Sequence, residues 1–262
     1  MMNYIRCFYK GRSFWAEEVG EKAIVLTAAP YLDGVPTGEE IDLTEVQLLA
    51  PCEAGKIVAI GKNYADHIKE MQAGFGDAVP EKPILFLKPS TCINDPEGKV
   101  EYPAFSHRVD FEGELAAVIG KRMTHVKAED ALNYVFGYTI CNDITARDIQ
   151  KSEGQWTRGK AVDGFAPVGP RIVQGLDPAG QTVITRLNGE ERQRGTTDSF
   201  ITPLPQLLAF INESMTLMPG DLVITGTPAG VGSMEVGDVV EVEIPSIGIL
   251  RNTIVTPESE KE

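Results

Sequence analysis

Three acidic residues occupy alternate positions in the segment Asp110-Phe111-Glu112-Gly113-Glu114. Alternate side chains of a β-strand point to the same side, so a strand would present all three carboxylates on one face. The apolar run that follows, residues 115–120, is typical of a buried segment. Carboxylates that enter a core are costly unless positive charge compensates them, and a hard divalent cation bound through oxygen does so. The segment therefore indicates a metal site, although alternating acids alone also fit a solvated strand face.

A further carboxylate, Asp143, follows the apolar residues 138–141 directly. Functional side chains are often found where strands end in loops, so Asp143 could join Glu112 and Glu114. Three carboxylates without His or Cys ligands suit Mg²⁺ or Mn²⁺ better than zinc. In the alternative interpretation, Asp143 caps the next turn and Arg147 pairs with Asp148 or another acid.

His67 and Glu70 lie three positions apart in residues 63–71, a segment with a helical pattern. Positions i and i+3 share one face of a helix. A carboxylate beside an imidazole holds its tautomer and raises its basicity, which suits a general base acting on water. The alternative is a surface ion pair on an exposed helix.

Two loop-like segments supply further polar groups. Lys160 could meet an oxyanion or a substrate carboxylate, unless it is simply exposed to solvent as most lysines are. The segment Thr225-Gly226-Thr227-Pro228 could offer hydroxyl and backbone N–H groups to a carboxylate, or form an ordinary tight turn. The sequence contains no phosphate-binding loop and no GxSxG nucleophile motif.

The elements that must position these groups are mostly strands. Alternating or apolar patterns predict strands at residues 4–9, 13–19, 56–60, 84–87, 136–141, 182–187 and 238–244, with 84–87 of the buried type. Gly11 predicts a hairpin turn between the first two strands, and Asn188-Gly189 predicts another after residue 187. Helices are predicted at residues 63–71, 128–134 and from Pro203 onward, with Asn63 as the N-cap of the first and Asp66 returning the bond. The third helix has an apolar stripe of Leu204, Leu207, Leu208, Ile211 and Met215, and the charged tail, residues 258–262, is expected to fray. Because strands outnumber helices without alternating with them, the pattern predicts an α+β, mostly β fold. We expect a small N-terminal β-rich region, residues 1–50, before a main body, residues 51–262.

Composition excludes several partners. The chain of 262 residues carries 24 Lys and Arg against 38 Asp and Glu, so its net charge of −14 argues against binding to nucleic acid or to anionic membranes. No apolar run reaches the length of a membrane span. The four cysteines have no CxxC spacing and no secretion signal precedes them, so we expect buried thiols and a cytoplasmic location.

Five segments together resemble the fumarylacetoacetate hydrolase family, in the family's order and spacing. They are Gly61-Lys62-Asn63-Tyr64-Ala65-Asp66-His67, Asp110-Phe111-Glu112-Gly113-Glu114-Leu115, Asp143-Ile144-Thr145-Ala146-Arg147-Asp148, Trp156-Thr157-Arg158-Gly159-Lys160 and Thr225-Gly226-Thr227-Pro228. The similarity spans about residues 55–255, and it is greatest to short members that include acylpyruvate hydrolases and oxaloacetate decarboxylases.

The resemblance implies a mostly β fold with a distorted central barrel or roll, and a homodimer. It also implies Mg²⁺ or Mn²⁺ and a mobile lid around residues 70–82. The residue roles that it implies are metal ligation by Glu112, Glu114 and Asp143, catalysis by His67, Glu70 and Lys160, and contact with substrate oxygens by Arg147, Gln150 and Thr227.

The implied reaction is hydrolysis of a C–C bond in a 1,3-dioxo acid, such as an acylpyruvate or fumarylpyruvate, through a metal-bound enolate. The same enolate would serve an oxaloacetate decarboxylase or a 2-hydroxyhepta-2,4-diene-1,7-dioate isomerase, which need no activated water. A non-catalytic binding protein would be expected to have lost the metal carboxylates or the base, and this chain retains both.

Overall fold

The structure is a computed structural model that describes residues 1–70 and 79–257. Strands predominate over helices in these residues, which confirms the predicted mostly β class. Most of the predicted lid lies outside the described residues, and so does the charged C-terminal tail, for which fraying was predicted.

The chain order of the elements is as follows. The strands are β1 Met2–Tyr9, β2 Arg12–Val19, β3 Lys22–Leu26, β4 Pro36–Asp42, β5 Gln47–Leu49, β6 Lys56–Gly61, β7 Ile84–Pro89, β8 Ile93–Asn94, β9 Lys99–Glu101, β10 Val109–Phe111, β11 Gly113–Ile119, β12 Val135–Asn142, β13 Thr145–Ala146, β14 Ala166–Gln174, β15 Thr182–Leu187, β16 Glu190–Thr196, β17 Leu222–Ile224, β18 Gly232–Met234, β19 Val239–Ile244 and β20 Gly248–Val255. The α-helices are α1 Ala65–Glu70, α2 Ala128–Ala131, α3 Arg147–Ser152, α4 Thr157–Lys160 and α5 Leu204–Ser214. Short 3₁₀ turns are Pro30–Leu32, Leu43–Glu45, Ser90–Cys92, Leu132–Tyr134 and Thr197–Ser199.

The strands form three sheets. The largest has 12 strands in the order β4-β3-β2-β1-β14-β12-β11-β17-β6-β7, with β5 paired to β1 and β8 paired to β14. A 3-stranded sheet has the order β13-β10-β18, and a 5-stranded sheet the order β16-β15-β19-β20-β9. Among the described residues no sheet closes into a barrel, so the predicted barrel or roll takes the form of open sheets packed together.

The N-terminal strands extend the large sheet. As predicted, β1 and β2 form a hairpin, and its turn residues Lys10 and Gly11 both have positive φ, 47° and 84°. The hairpin strands bury a small core of their own, but β1 also pairs with β14 of the main body. Hydrogen bonding of the sheet is therefore continuous across the predicted boundary at residue 50.

The strand that leads out of the acidic segment lies at the centre of the molecule. All seven residues of β11 are buried, and the strand is paired between β12 and β17. Helix α5 contributes its predicted apolar stripe, Leu204, Leu207, Leu208 and Ile211, to the core cluster that contains Leu115 and Ile119. This packing fixes the position of β11, and thereby of the acids at its start.

Three local predictions are corrected. Asn63 does not cap α1; its side chain donates to Thr225 O at 2.8 Å and accepts from Thr202 N at 2.9 Å, so it joins two remote segments. The predicted helix over 128–134 is a single α-helical turn followed by a 3₁₀ turn. β7 is an edge strand rather than a buried one, since β6 is its one partner among the described strands and Leu87 is 47% exposed.

All four cysteines are buried and none forms a disulfide. No helix in the described ranges combines the length and the apolar composition needed to cross a bilayer.

Candidate active site

The acidic segment does not form one strand. β10 ends at Phe111 and β11 begins at Gly113, so the chain passes at Glu112 from the 3-stranded sheet into the large sheet. The prediction of one continuous strand through the three acids is therefore wrong, although Asp110 and Glu112 both accept from the guanidinium of Arg147. Asp110 belongs to the smaller sheet, where its buried carboxylate accepts from Arg147 Nε at 2.8 Å and Arg108 Nε at 2.9 Å.

The antiparallel register of β11 and β12 brings the third carboxylate into place. Gly113 pairs with Asn142, so the residues just outside this pair, Glu112 and Asp143, are neighbours, and Asp143 N donates to Glu112 O at 2.8 Å. Carboxylate oxygens of Glu112, Glu114 and Asp143 lie within 4.8 Å of one another, and all three residues are buried. The structure thus brings together the three predicted ligands, which we call the acidic triad.

The acidic triad has the chemistry of a site for a hard divalent cation. It offers only oxygen donors, which Mg²⁺ and Mn²⁺ prefer. Burial, Asp143 and Glu112 together raise the pKa of Glu114 well above its usual value, because three carboxylates share one dry site. A cation among these oxygens would remove that repulsion, so the residues fit the implied metal.

Lys160 is not a solvent-exposed lysine. Its buried Nζ donates to Glu112 Oε2 and to Asp143 Oδ2, both at 2.6 Å, and lies 5.1 Å from the ring centroid of Phe86. Burial lowers the pKa of Lys160, but the two carboxylates outweigh it and raise the pKa above its ordinary value. Burial likewise acts to raise the pKa of Glu112, but Lys160 and Arg147 outweigh it and hold that pKa far below its usual value. Lys160 therefore stays a cation beside the acidic triad.

A second buried lysine was missed by the sequence analysis. Lys88 is fully buried on β7, and its Nζ donates to Asp143 Oδ1 at 2.7 Å and to Ile144 O at 3.2 Å. The available signal was the alternation of β7, because Lys88 shares a strand side with Phe86, and Phe86 lines the site.

The guanidinium of Arg147 forms ion pairs with acidic residues of the protein itself. Its guanidinium donates to Asp110, to Glu112 and, at 2.5 Å, to Gln150 Oε1. The alternative interpretation, in which Arg147 pairs with Asp148 or another acid, agrees with these bonds, and the acids are Asp110 and Glu112. Arg147 and Gln150 also line the cavity described below, and their predicted contact with substrate stays a prediction.

The loop after β17 covers the other side of the acidic triad. Gly226 N donates to Glu114 Oε2 at 2.7 Å, so the loop does offer a backbone N–H group to a carboxylate, although this one belongs to the protein. The Thr227 hydroxyl donates to Gly113 O at 2.9 Å and accepts from Gln193 Nε2 at 2.8 Å. Thr227 also lines the cavity, and its contact with substrate stays a prediction.

The predicted His–Glu pair is formed and belongs to the same site. His67 Nδ1 lies 3.3 Å from Glu70 Oε2, and His67 is only 8% exposed, which does not fit a surface ion pair. Both carboxylate oxygens of Glu70 accept from Gly230 N at 3.0 Å. Burial acts to raise the pKa of Glu70, but His67 and the amides of Gly230 and Val231 lower it overall. Glu70 is therefore held as an anion beside the imidazole.

One cavity unites these groups. It has about 440 Å³ of empty space, including open solvent at its mouth, and its lining includes every predicted site residue except Glu70. Most of the remaining side chains of the wall are apolar, and Phe86 and Trp156 meet edge to face with ring centroids 5.5 Å apart. The residues that line it are Ile60, Gly61, Lys62, His67, Ile68, Phe86, Glu112, Glu114, Asp143, Arg147, Gln150, Trp156, Lys160 and Thr227. Such a site can bind a small oxo acid at the acidic triad and move a proton at His67.

Open sheets around a buried carboxylate triad, with His67 lining the same cavity, have the arrangement of a candidate active site that could hold a divalent cation. The family model described as fumarylacetoacetate (FAA) hydrolase C-terminal matches residues 56–255, and one described as Rv2993c-like, N-terminal, matches residues 2–51. Since the first match covers well over half of the chain, the protein belongs to the fumarylacetoacetate hydrolase family. The family predicted from five motifs is confirmed.

Individual relatives are similar to this chain over most of its length. An uncharacterized protein of Archaeoglobus fulgidus is 49% identical over 218 residues, which cover 83% of this chain and 86% of the relative. Oxaloacetate tautomerase YisK of Bacillus subtilis is 42% identical over 225 residues, which cover 81% of this chain and 74% of the relative. The solved structure of 2-hydroxyhepta-2,4-diene-1,7-dioate isomerase from Mycobacterium marinum is 40% identical, with a TM-score of 0.90, and the match covers 98% of this chain and 100% of that chain.

Proposed function

We propose that the protein interconverts the keto and enol forms of a small 2-oxo dicarboxylic acid of the oxaloacetate type, with Mg²⁺ or Mn²⁺ at the acidic triad. The observation that carries this proposal is that His67, paired with Glu70, faces the same cavity as the acidic triad and Lys160. The names of the Bacillus subtilis and Mycobacterium marinum relatives support it, since both reactions shift a proton and a double bond.

The His–Glu pair determines which nitrogen can act as the base. The Glu70 carboxylate is an acceptor, so Nδ1 of His67 must carry the proton that lies between them. Nε2 is then left with its lone pair. It can take a proton from the carbon next to the oxo group and return it to the oxygen, and the reverse sequence restores the keto form.

The substrate gains negative charge when its proton is removed, and positive charge at the site would stabilise it. A divalent cation, when bound to the acidic triad, supplies Lewis-acid polarisation of the substrate carbonyl. Lys160 adds a fixed positive charge in a region from which water is largely excluded, where electrostatic stabilisation is strong. The small cavity suits a compact dicarboxylic or oxo acid.

Hydrolysis of an acylpyruvate is the second candidate, and the His67–Glu70 pair favours it. In that reaction His67 would take a proton from water, and the resulting hydroxide would attack the distal carbonyl. The C–C bond would break, its electrons would pass into the enolate of the pyruvate half, and a proton would complete that product. Decarboxylation of oxaloacetate would give the same enolate without needing the base.

An ultraviolet assay tests the proposal, because the enol form of oxaloacetate absorbs more strongly than the keto form. We expect enol decay to be accelerated with Mg²⁺ or Mn²⁺ and not with chelator. His67→Gln should lower the catalysed rate by roughly 10²–10⁴-fold, the usual contribution of a general base. His107→Ala, at an exposed histidine, is the control and should keep the wild-type rate.

The same preparation separates the candidates. Acetylpyruvate and fumarylpyruvate are tested for cleavage to pyruvate, and oxaloacetate is tested for pyruvate formation by loss of CO₂. Cleavage of acylpyruvates without acceleration of enol decay would replace the tautomerase by the hydrolase. A wild-type rate in His67→Gln would show that His67 is not the base.

A further inference from the structure

Gln193, on β16, connects two parts of the site with one side chain. It is fully buried, and its Oε1 accepts from Gly113 N at 3.1 Å. Its Nε2 donates to Thr227 Oγ1 and to Pro228 O, both at 2.8 Å. Gly113 lies between two members of the acidic triad, so Gln193 ties the triad strand to the loop after β17.

The same loop carries the amides that hold the Glu70 carboxylate. Gly230 N–H donates to both carboxylate oxygens, and the Val231 amide adds a further bond. Gly230 has φ +102°, and a Cβ there would lie 2.0 Å from Arg192 O. The loop is therefore seated directly on β16, beside Gln193, with no room for a side chain.

Helix α1 needs such an external support. The described part of the chain includes six of its residues, Ala65–Glu70, and most of the stability of a helix in a protein comes from tertiary packing. Its position therefore depends on tertiary contacts, and one of these joins Glu70 to Gly230. His67, one turn earlier, is oriented through Glu70 at 3.3 Å.

We propose that Gln193 is a positioning residue for the His67–Glu70 pair. Its bonds fix the position of loop 227–231 relative to Gly113. In that position the Gly230 amide donates to Glu70, and Glu70 in turn orients the imidazole of His67 toward the cavity of the acidic triad. The hydrogen-bond partners of Gln193 are Gly113, Thr227 and Pro228, so its effect on His67 and Glu70 passes through the loop. The kinetic part of this inference rests on the proposed function, but the orientation of His67 does not.

Two variants separate the two ends of the Gln193 amide. Gln193→Glu keeps an oxygen for Gly113 N and loses at least one donor to Thr227 and Pro228, so it should release the loop while leaving the triad strand in place. Gln193→Met removes both ends. Asn212→Leu is the matched control, because Asn212 is an equally buried amide that bonds to Val126 and Leu208, away from the cavity.

The primary readout is the nitrogen NMR spectrum of the protein labelled with ¹⁵N-histidine, which reports the tautomer and hydrogen bonding of His67 without any substrate. The chain has 3 histidines, and His67→Gln assigns the relevant signals. We expect both Gln193 variants to move the His67 Nδ1 signal in the direction in which Glu70→Gln moves it. Asn212→Leu should leave it in place.

The kinetic readout uses the enol-decay assay and a metal titration of each variant. Gln193→Glu should lower kcat by roughly 10–100-fold, as is usual when a group that orients a functional side chain is lost, with metal affinity unchanged. Combined with Glu70→Gln it should cause no further loss, because the two changes act on one interaction. His67 signals that do not move in Gln193→Glu would overturn the proposal. Fully additive losses of kcat in the Gln193→Glu, Glu70→Gln double variant would also overturn it. If Gln193→Met fails to fold, the result for Gln193→Glu decides. Moved His67 signals in a protein without tautomerase activity would refute the proposed function and leave the positioning role standing.

Discussion

Lys88 Nζ donates a 2.7 Å hydrogen bond to Asp143 Oδ1, and neither side chain is exposed to more than 1%. The other carboxylate oxygen of Asp143 accepts from Lys160 Nζ at 2.6 Å. One acid of the triad is thus held between two buried ammonium groups. Asp143 has no freedom to turn away from Glu112 and Glu114, which is what a preorganised metal ligand requires.

Replacement of Lys88 by Met should affect both stability and metal binding. Removal of one partner of a buried ion pair leaves an uncompensated charge, so we expect the free energy of unfolding to fall by about 3–5 kcal/mol. Metal affinity or activity should fall by roughly 10–100-fold, because Asp143 loses an orienting partner. Denaturant unfolding and calorimetric metal titration measure these effects. Lys56→Met, at the partly exposed ion pair with Asp221, is the control; equal metal affinity in both variants would contradict the role of Lys88.

Metal binding should stabilise the wild-type protein and depend on Asp143. A ligand that binds only the folded state at about 100 times its Kd adds about 2.7 kcal/mol, so Mg²⁺ or Mn²⁺ should raise Tm and a chelator should reverse the rise. Asp143→Asn should lose most of this rise in differential scanning calorimetry. Asp148→Asn is the control, because Asp148 bonds to Ser106 and His107 outside the acidic triad. A full rise of Tm in Asp143→Asn would exclude Asp143 as a ligand.

Glu70 should contribute stability above about pH 4.5 that is lost in acid. The pKa of Glu70 is lowered in the folded state, because His67 and the Gly230 and Val231 amides outweigh the effect of burial. A carboxyl with a lowered folded-state pKa stabilises the fold above its unfolded-state pKa, and this stabilisation disappears as pH falls through the folded-state pKa. The difference in unfolding free energy between wild type and Glu70→Gln should therefore be constant near neutral pH and shrink below the usual glutamate pKa of 4.5.

Urea unfolding of both proteins between pH 7 and pH 3 measures this difference. Glu190→Gln, at an exposed ion pair with Arg192, is the control and should differ little from wild type at every pH. A difference for Glu70→Gln that grows as the pH falls would contradict the lowered pKa.

The four cysteines should be inert to thiol reagents in the native protein. Burial raises the pKa of Cys7 and of Cys52 to about 12 and that of Cys92 to about 11, and it raises the pKa of Cys141 well above the usual value. At pH 8 the thiolate fraction of a thiol with a pKa of 11 is roughly 10⁻³, and the thiolate is the reactive form. Ellman's reagent should therefore react slowly with folded protein and with all four thiols in guanidinium. Rapid reaction of one native thiol would show that its site is open.

Local patterns predicted much of the secondary structure because they report local physics. The hairpin around Gly11, the Asn188-Gly189 turn with both φ values positive and the apolar stripe of α5 are all observed. Turn chemistry and side-chain periodicity act over a few residues and need no tertiary context. The predictions that failed are those in which a tertiary contact competes with a local one, as when Asn63 bonds to Thr202 and Thr225 instead of capping α1.

The site shows the same division. The acid, histidine and lysine side chains that could take part in catalysis or metal binding were recognised from their types, spacing and order. The family that they indicated is confirmed. Lys88 and Gln193 were not recognised, because each is a single polar residue in a strand whose burial depends on what packs over it, and the alternation of β7 gave only a weak signal for Lys88. The sequence pattern also placed Asp110 on one strand with Glu112 and Glu114, whereas in the structure Asp110 belongs to the 3-stranded sheet and Glu114 to the large sheet.

The sequence by itself determined the mostly β class, the family and the residue types available for chemistry, because motifs and periodicity are properties of the chain. Only the tertiary structure decided which acids meet, since the β11–β12 register sets Asp143 beside Glu112. Tertiary packing also buries Lys88, Lys160 and Arg147 and pairs them with those acids. Charges far apart in a chain acquire strong interactions only when folding removes the water between them, and no local pattern records that event.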